Sequence, residues 1–234
     1  MLNKLVEIVN LKSKKSHFFL IITFFIFSFI EIYAEFINDI RLQWVSKPFL
    51  IPILIIIYSI AAKKASYLYV IALLFNWFAN LLFISSNVKL TLLASISFLI
   101  YRILIIIKIF KDEKSLGFIP VIIGSIPFLF LFLSLINIVY DNINGGGFYL
   151  IIFQTILMTI LGGFSLGNYV IKNDVFSKLL LMSSLFFGIN FVVLGIKFYF
   201  FNYEFLKPFS MIFFILGHYI FNYLMILKGK KLNF

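Results

Sequence analysis

Acidic and amide side chains recur at helical spacing within otherwise apolar stretches of this sequence. Glu31 and Glu35 are four residues apart, as are Asn76 and Asn80, so each pair leaves one face of a helix. A positioned carboxyl group transfers protons in catalysis, whereas an amide side chain only donates and accepts hydrogen bonds. Each of these polar faces requires a partner inside the protein.

Further polar and basic side chains lie in other apolar runs of the chain. They occur as three groups: Tyr101 with Arg102, Asn190 with Lys197, and His218 with Asn222. Simpler structural roles exist for some of them, since Asn76 and Asn80 are suited to hydrogen bonding between helices, and His218 to a satisfied position in the core. A histidine-based metal site is poorly supported, because the only other histidine is His17. No cofactor is expected.

The composition indicates an integral membrane protein. The 234 residues are 63% hydrophobic and only 12% charged, whereas soluble proteins are roughly 45–50% apolar and about 25% charged. The net charge of +11 is explained by basic loops on one side of a membrane, and nucleic-acid binding is not expected because no basic recognition motif is present. The absence of cysteine excludes disulfides and thiol chemistry.

Apolar runs of about membrane-spanning length divide the chain into eight predicted spans. They cover residues 17–38, 47–62, 66–85, 90–110, 117–138, 147–171, 176–196 and 207–227. Backbone groups in lipid must be hydrogen-bonded internally, and "FFLIITFFIFSFI" lacks the alternation of a barrel strand. The predicted fold class is therefore all-α, a polytopic transmembrane bundle of about eight helices.

The distribution of Lys and Arg predicts the orientation. With both termini inside, fourteen of the 20 basic residues fall in cytoplasmic segments and five in external ones. Residues 1–16 and 228–234 are then basic cytoplasmic tails around one transmembrane domain, residues 17–227. We expect a bacterial inner (plasma) membrane location. The first span has an alternative interpretation as a signal peptide, although "IYA" makes a poor cleavage site.

This topology places the polar groups by depth. The outer half of the membrane holds the side chains of Glu31, Glu35, Asn80 and Asn190. We expect them to line a cavity open to the external side. The basic groups of that cavity would be Lys47 and Lys197 at its outer rim, with Arg102 and His218 as its floor.

Other roles are open to several of these side chains. Lys47, Lys197 and Lys207 are also suited to extending toward the interface, as lysines near helix ends do. Glu31 and Glu35 would be interfacial if the first span ended earlier, although Glu31 lies deep enough to pair with Arg102. Gly163 and Gly167, four residues apart, predict close packing of two helices.

Three segments resemble the lysoplasmalogenase-like (YhhN) membrane family. The segment "KPFLIPILIIIYSI…ALLFNWFANLLFI" is similar to that family's Lys-Pro start and its "AL.F...GD..L" helix. The segment "LFFGINFVVLGIKF" resembles its "F..SD..LA..KF" helix, with Phe186, Asn190, Lys197 and Phe198 at the same spacing. The last span, "FFILGHYIFNYLMI", is similar to its closing "Y..AQ.LI" segment. The resemblance covers residues 47–227, and the eight spans agree with it.

The resemblance implies hydrolysis of the vinyl ether bond of lysoplasmalogen lipids. Such a reaction requires a carboxylic acid to protonate the vinyl carbon and a carboxylate to activate water. Asn80 and Asn190, however, stand where the family has its two aspartates, and Tyr101 stands where it has a histidine. Losing each proton-transfer group costs a factor on the order of 10²–10⁴ in rate.

Three functional hypotheses follow from this pattern. The first is a non-catalytic paralogue that binds a membrane lipid, a lysolipid or another amphiphile in the outer-facing cavity. The second is an active ether-lipid hydrolase in which Glu31 or Glu35 acts as the acid, assisted by Arg102, His218 or Tyr101. The third is a small-molecule transporter. A structural or assembly role is the remaining alternative.

Overall fold

The protein is an all-α polytopic membrane helix bundle. The computed structural model describes residues 2–85, 87–113, 117–142, 146–199 and 205–231, and these ranges contain eight α-helices and one short 3₁₀ turn, Tyr140–Asn142. The helices are α1 Leu2–Phe36, α2 Ile40–Ala61, α3 Tyr67–Leu82, α4 Val88–Asp112, α5 Phe118–Val139, α6 Gly146–Lys172, α7 Val175–Tyr199 and α8 Leu206–Lys231.

Successive helices run in alternating directions. The C-terminal ends of α4, α6 and α8 meet where Glu113 contacts Lys172 and Lys228, and we call this the lysine-rich end of the bundle. At the opposite end, the last turns of α1 meet the first turns of α2 and α8. Because the helices alternate in direction, α1 begins and α8 ends at the lysine-rich end.

Seven of the eight helices in the described part of the chain are long and apolar enough to cross a membrane. The exception is α3, whose 16 residues extend about 24 Å at 1.5 Å per residue, against a hydrocarbon core of about 30 Å. Large apolar side chains cover the outer surface, as in α5, where Phe118, Ile119, Ile122 and Phe130 are between 64% and 85% exposed. An exterior of this kind is suited to lipid.

The predicted start of the second span is wrong. Helix α2 begins at Ile40 rather than at residue 47, because the Asp39 side chain caps it by accepting from the backbone N–H groups of Arg41 and Leu42. Lys47 consequently lies within the helix. Residues 2–16 of the predicted basic N-terminal tail continue α1 as helix, and residues 1 and 232–234 lie outside the described residues.

Two prolines interrupt the hydrogen bonding of α2, and α3 compensates for one of them. Pro52 has no N–H to donate to the carbonyl of Pro48, four residues earlier. The indole N–H of Trp77 donates to that carbonyl instead, at 2.8 Å. A backbone acceptor in lipid needs such a substitute donor, so this bond fixes α3 against α2.

Glycines bring α5 and α6 into backbone contact, as their spacing predicts. A Cβ atom on Gly163 would lie 2.7 Å from the carbonyl oxygen of Val121, and one on Gly167 would lie 2.6 Å from that of Pro120. A Cβ atom on Gly124 in α5 would likewise lie 2.6 Å from the carbonyl oxygen of Gly163. Any side chain at these positions would force the two helices apart.

Candidate functional site

Polar side chains in the interior form two separate groups. The first joins α1 to α2 near the end opposite the lysine-rich end, and we call it the outer cluster; it comprises Glu31, Glu35, Gln43, Ser46 and Lys47. The second lies among α3, α4, α7 and α8, and we call it the central polar site; it comprises Asn76, Asn80, Tyr101, Arg102, Asn190, Ser210 and His218. Within the described ranges, no hydrogen bond or ion pair joins one group to the other.

Lys47 is the centre of the outer cluster. Its ammonium nitrogen lies 2.7 Å from Glu35 Oε1 and 3.1 Å from Glu31 Oε1. The contact with Glu35 is a hydrogen-bonded ion pair, whereas that with Glu31 is not aligned as a hydrogen bond. Lys47 is only 5% exposed. It is therefore a buried counterion rather than a lysine that extends to the membrane interface.

A protonated Glu31 would satisfy both hydrogen-bond contacts of Ser46. Ser46 Oγ lies 2.5 Å from Glu31 Oε2 and 2.7 Å from the carbonyl oxygen of Leu42, but a hydroxyl has a single hydrogen to donate. Both contacts are satisfied when Glu31 donates to Ser46 and Ser46 donates to Leu42. Lys47 and the ionised Glu35, which also accepts from Gln43 Nε2 at 3.2 Å, then form a neutral pair. A neutral cluster suits a fully buried position.

A chain of hydrogen bonds orders the amides of the central polar site. Asn80 Nδ2 lies 3.1 Å from Asn76 Oδ1, and Asn76 Nδ2 lies 2.8 Å from His218 Nε2. His218 Nδ1 lies 2.8 Å from the carbonyl oxygen of Phe214, which can only accept, so Nδ1 carries the hydrogen and Nε2 accepts from Asn76. Asn76 thus makes the interhelical bond proposed for it. Both ring nitrogens of His218 are occupied, as in a satisfied core histidine.

Arg102 and Tyr101 carry unpaired polar atoms in this interior. Arg102 is 5% exposed and Tyr101 3% exposed, and neither Arg102 Nη1 nor the Tyr101 hydroxyl has a hydrogen-bond partner among the described residues. The guanidinium lies over the rings of Phe98 and Phe191, 4.8 and 5.3 Å from their centroids. The expected pairing of Arg102 with Glu31 is wrong, because Lys47 and Ser46 occupy that carboxyl group.

Three further side chains named in the sequence analysis are Asn190, which belongs to the central polar site, and the lysines Lys197 and Lys207. Asn190 Oδ1 accepts a 2.7 Å hydrogen bond from Ser210 and is 1% exposed. Lys197 places its ammonium group 4.9 Å from the ring centroid of Phe198, and it interacts electrostatically with Glu35. Lys207 bonds to the side chain of Asn38.

Four side chains that complete these groups were missed by sequence reasoning. They are Gln43, Ser46, Tyr69 and Ser210, of which Tyr69 donates to Asn222 at 3.0 Å. Gln43 precedes Lys47 by one helical turn, so helical periodicity extended beyond the predicted span limit would have found it. Tyr69 precedes Asn76 by two turns within the predicted third span, so the same periodicity would have found it there. Ser46 and Ser210 give no comparable signal.

No family model, curated protein or solved structure matches this chain. The resemblance to the lysoplasmalogenase-like family therefore depends on the segments quoted above and stays a prediction. The geometry establishes a multi-pass helical membrane protein with a buried arginine that makes no ion pair among the described residues.

Proposed function

We propose that this protein binds the anionic head group of a membrane lipid or lysolipid in the central polar site, without hydrolysing it. The observation that supports this proposal is the buried Arg102, whose Nη1 has no hydrogen-bond partner among the described residues. A guanidinium group remains protonated in proteins, so burial does not neutralise it. Ionisable groups inside a membrane bundle are costly and are kept where they serve a ligand or pathway. An anionic ligand would supply the missing charge.

The rings of Phe98 and Phe191 compensate only part of the burial cost of this cation. A cation over an aromatic face gains about 0.5–2 kcal/mol, whereas an unpaired buried charge costs several. The Tyr101 hydroxyl, at the adjacent position of α4, is a second donor without a partner in the part of the chain that the structure describes. A phosphate or carboxylate accepts from both kinds of donor, which favours an acidic head group over a neutral sugar or amine.

The state of the carboxyl groups argues against hydrolysis. The vinyl ether reaction needs one acid and one base at the bound substrate. Glu31 and Glu35 are engaged by Lys47, Ser46 and Gln43, and neither bonds to the central polar site. Asn80 and Asn190 cannot transfer protons at neutral pH. A hydrolase with relocated carboxylates would have to break the outer cluster in each catalytic cycle.

Lipid binding is tested by mass spectrometry of amphiphiles that copurify with the full-length protein. The wild-type protein should retain an anionic amphiphile above its share of the bulk membrane, and Arg102→Met should lose it. Hydrogen bonds to charged groups contribute about 1.5–3 kcal/mol, so we expect a loss of roughly 10- to 150-fold. The matched control is Lys89→Met, which removes an exposed cation from the same helix. Equal lipid profiles for all three proteins would refute the proposal.

The relation to the hydrolase family is tested by restoring the acids. The wild-type protein should release no aldehyde from a lysoplasmalogen, whereas the double variant Asn80→Asp, Asn190→Asp should gain that activity. Asn76→Asp, one turn away on the same helix, is the control for a carboxylate at an unrelated position. Aldehyde release by the wild-type protein would contradict the non-hydrolytic assignment, and no gain in the double variant would remove support for the family.

A further inference from the structure

A pocket of about 390 Å³ lies at the lysine-rich end, away from both polar groups described above. It is formed by the connection between α2 and α3, by the first turn of α3, and by the last turns of α4 and α8. Three lysines line it, namely Lys64, Lys108 and Lys228. It shares no residue with the outer cluster or with the central polar site.

The charges around this pocket leave a positive excess. Lys108 bonds to Asp112 at 2.5 Å, and Lys228 bonds to Glu113 at 2.6 Å. Glu113 is shared with Lys172, so two carboxylates serve three lysines. Lys64 is exposed and makes no ion pair among the described residues. The ensemble of four lysines and two acids therefore has a net charge of about +2, which is suited to a phosphate group.

Uncharged donors also face the same space. Ser66 occupies the N-cap position of α3, but its side chain makes no hydrogen bond to the helix. Its backbone N–H donates to the Tyr58 hydroxyl oxygen at 2.8 Å. Tyr67 and Leu68 of the first turn line the pocket. The first N–H groups of a helix lack intrahelical acceptors, and the helix dipole adds partial positive charge there.

The outer edge of the pocket is suited to a lipid rather than to a free ion. Tyr67 is 86% exposed at the start of the apolar helix α3, and tyrosine at such an end is typical of the membrane interface. Leu68 and Met225 add apolar lining beside the lysines. Basic pockets between membrane helices on the cytoplasmic side recognise phospholipid head groups, and the lysine distribution predicts that this end is cytoplasmic.

We propose that this pocket binds the phosphate head group of an anionic phospholipid of the cytoplasmic leaflet. The phosphate would lie between Lys64 and the first turn of α3, with Lys108 and Lys228 held in place by Asp112 and Glu113. The acyl chains would extend along the apolar surface next to Tyr67. This site is independent of the ligand proposed for the Arg102 region.

The test measures binding of phosphatidylglycerol to the purified full-length protein in detergent, by native mass spectrometry and by the rise in melting temperature. Phosphatidylcholine and inorganic phosphate are the comparison ligands. Lys64→Gln should weaken phosphatidylglycerol binding about fivefold, the equivalent of about 1 kcal/mol for one lysine near a membrane surface. Lys63→Gln is the matched control, because Lys63 is equally exposed and adjacent but does not line the pocket.

Three outcomes would overturn the proposal. Equal weakening by Lys63→Gln and Lys64→Gln would indicate diffuse surface attraction rather than a site. Equal binding of phosphatidylcholine would exclude recognition of an anionic head group. Competition by inorganic phosphate at the same concentration as lipid would exclude the lipid assignment. The Arg102→Met protein should retain the Lys64-dependent response, which separates this site from the central polar site.

Discussion

Replacing Glu35 with glutamine removes the ionised partner of Lys47 while preserving the volume of the side chain. Lys47 Nζ lies 2.7 Å from Glu35 Oε1, and its side chain is 6% exposed, so water does not replace the lost charge. Glu31 is the other acidic group in contact, at 3.1 Å. We expect it to be protonated in the wild-type protein, and in the variant it is the carboxyl group positioned to ionise and compensate.

The size of the effect follows from these contacts. Removing one partner of a buried ion pair costs about 3–5 kcal/mol. Glu35 is 13% exposed, and ionisation of Glu31 recovers part of the loss, so we expect about 2–4 kcal/mol for Glu35→Gln. Glu31→Gln should cost less than about 1 kcal/mol, because the amide donates to Ser46 as the protonated acid does. The double variant should cost more than the sum, since no counterion remains.

Thermal unfolding of the purified protein in detergent measures these differences. A chain of this size shifts its melting temperature by roughly 2–4 °C per kcal/mol, so Glu35→Gln should melt about 4–16 °C lower and Glu31→Gln within about 4 °C of wild type. Adding Lys47→Met to Glu35→Gln should restore most of the loss, because it removes the stranded charge. Equal losses for the two single variants would refute the assignment of the proton to Glu31.

Further predictions concern helix packing, acid stability and the interior hydrogen bonds. Gly163→Ala should destabilise the protein by at least about 1–3 kcal/mol through overpacking of α5 against α6, whereas Gly188→Ala, whose Cβ would have 3.5 Å to its nearest neighbour, should melt near wild type. Burial by itself would raise the pKa of Glu113, but its two lysine partners lower that pKa below its usual value of 4.5. The resulting stability is complete above about pH 4.5 and is lost as the pH falls through the lowered pKa, so Glu113→Gln should flatten the acid limb of a plot of melting temperature against pH. Tyr69→Phe leaves Asn222 Oδ1 without its donor and should cost about 1–3 kcal/mol in the same melting assay, and an unchanged melting temperature would contradict the role of that bond.

Helical periodicity predicted which side chains share a face, and the structure agrees for the amide pair of α3 and the acidic pair of α1. Asn76 and Asn80 leave α3 together, and Glu31 and Glu35 leave α1 together toward Lys47. The sequence did not reveal the neighbouring helix. Glu31 was expected to contact Arg102 but contacts Ser46 of α2. This contact was not predicted, because the predicted second span began at residue 47 and excluded the polar first turns of α2.

The capping of α2 explains why its start was misplaced. Apolar composition marks the part of a helix that crosses hydrocarbon, whereas the Asp39 cap begins the helix in a polar segment. Composition alone therefore underestimates the length of helices whose ends carry buried polar groups. The predicted start of the second span at residue 47 also excluded Gln43 and Ser46 from the candidate site residues.

The sequence by itself determined that the chain is a bundle of antiparallel membrane helices, because lipid leaves backbone groups no partners outside the helix, and long apolar runs allow no other structure. The tertiary structure alone decided which buried charges are compensated. Lys47 contacts two carboxyl groups of α1, whereas Arg102 lies over the ring of Phe98 in its own helix and that of Phe191 in α7. The reason is geometric: helical spacing fixes the direction of a side chain on its own helix, whereas the rotation and order of the helices in the bundle fix what that side chain meets.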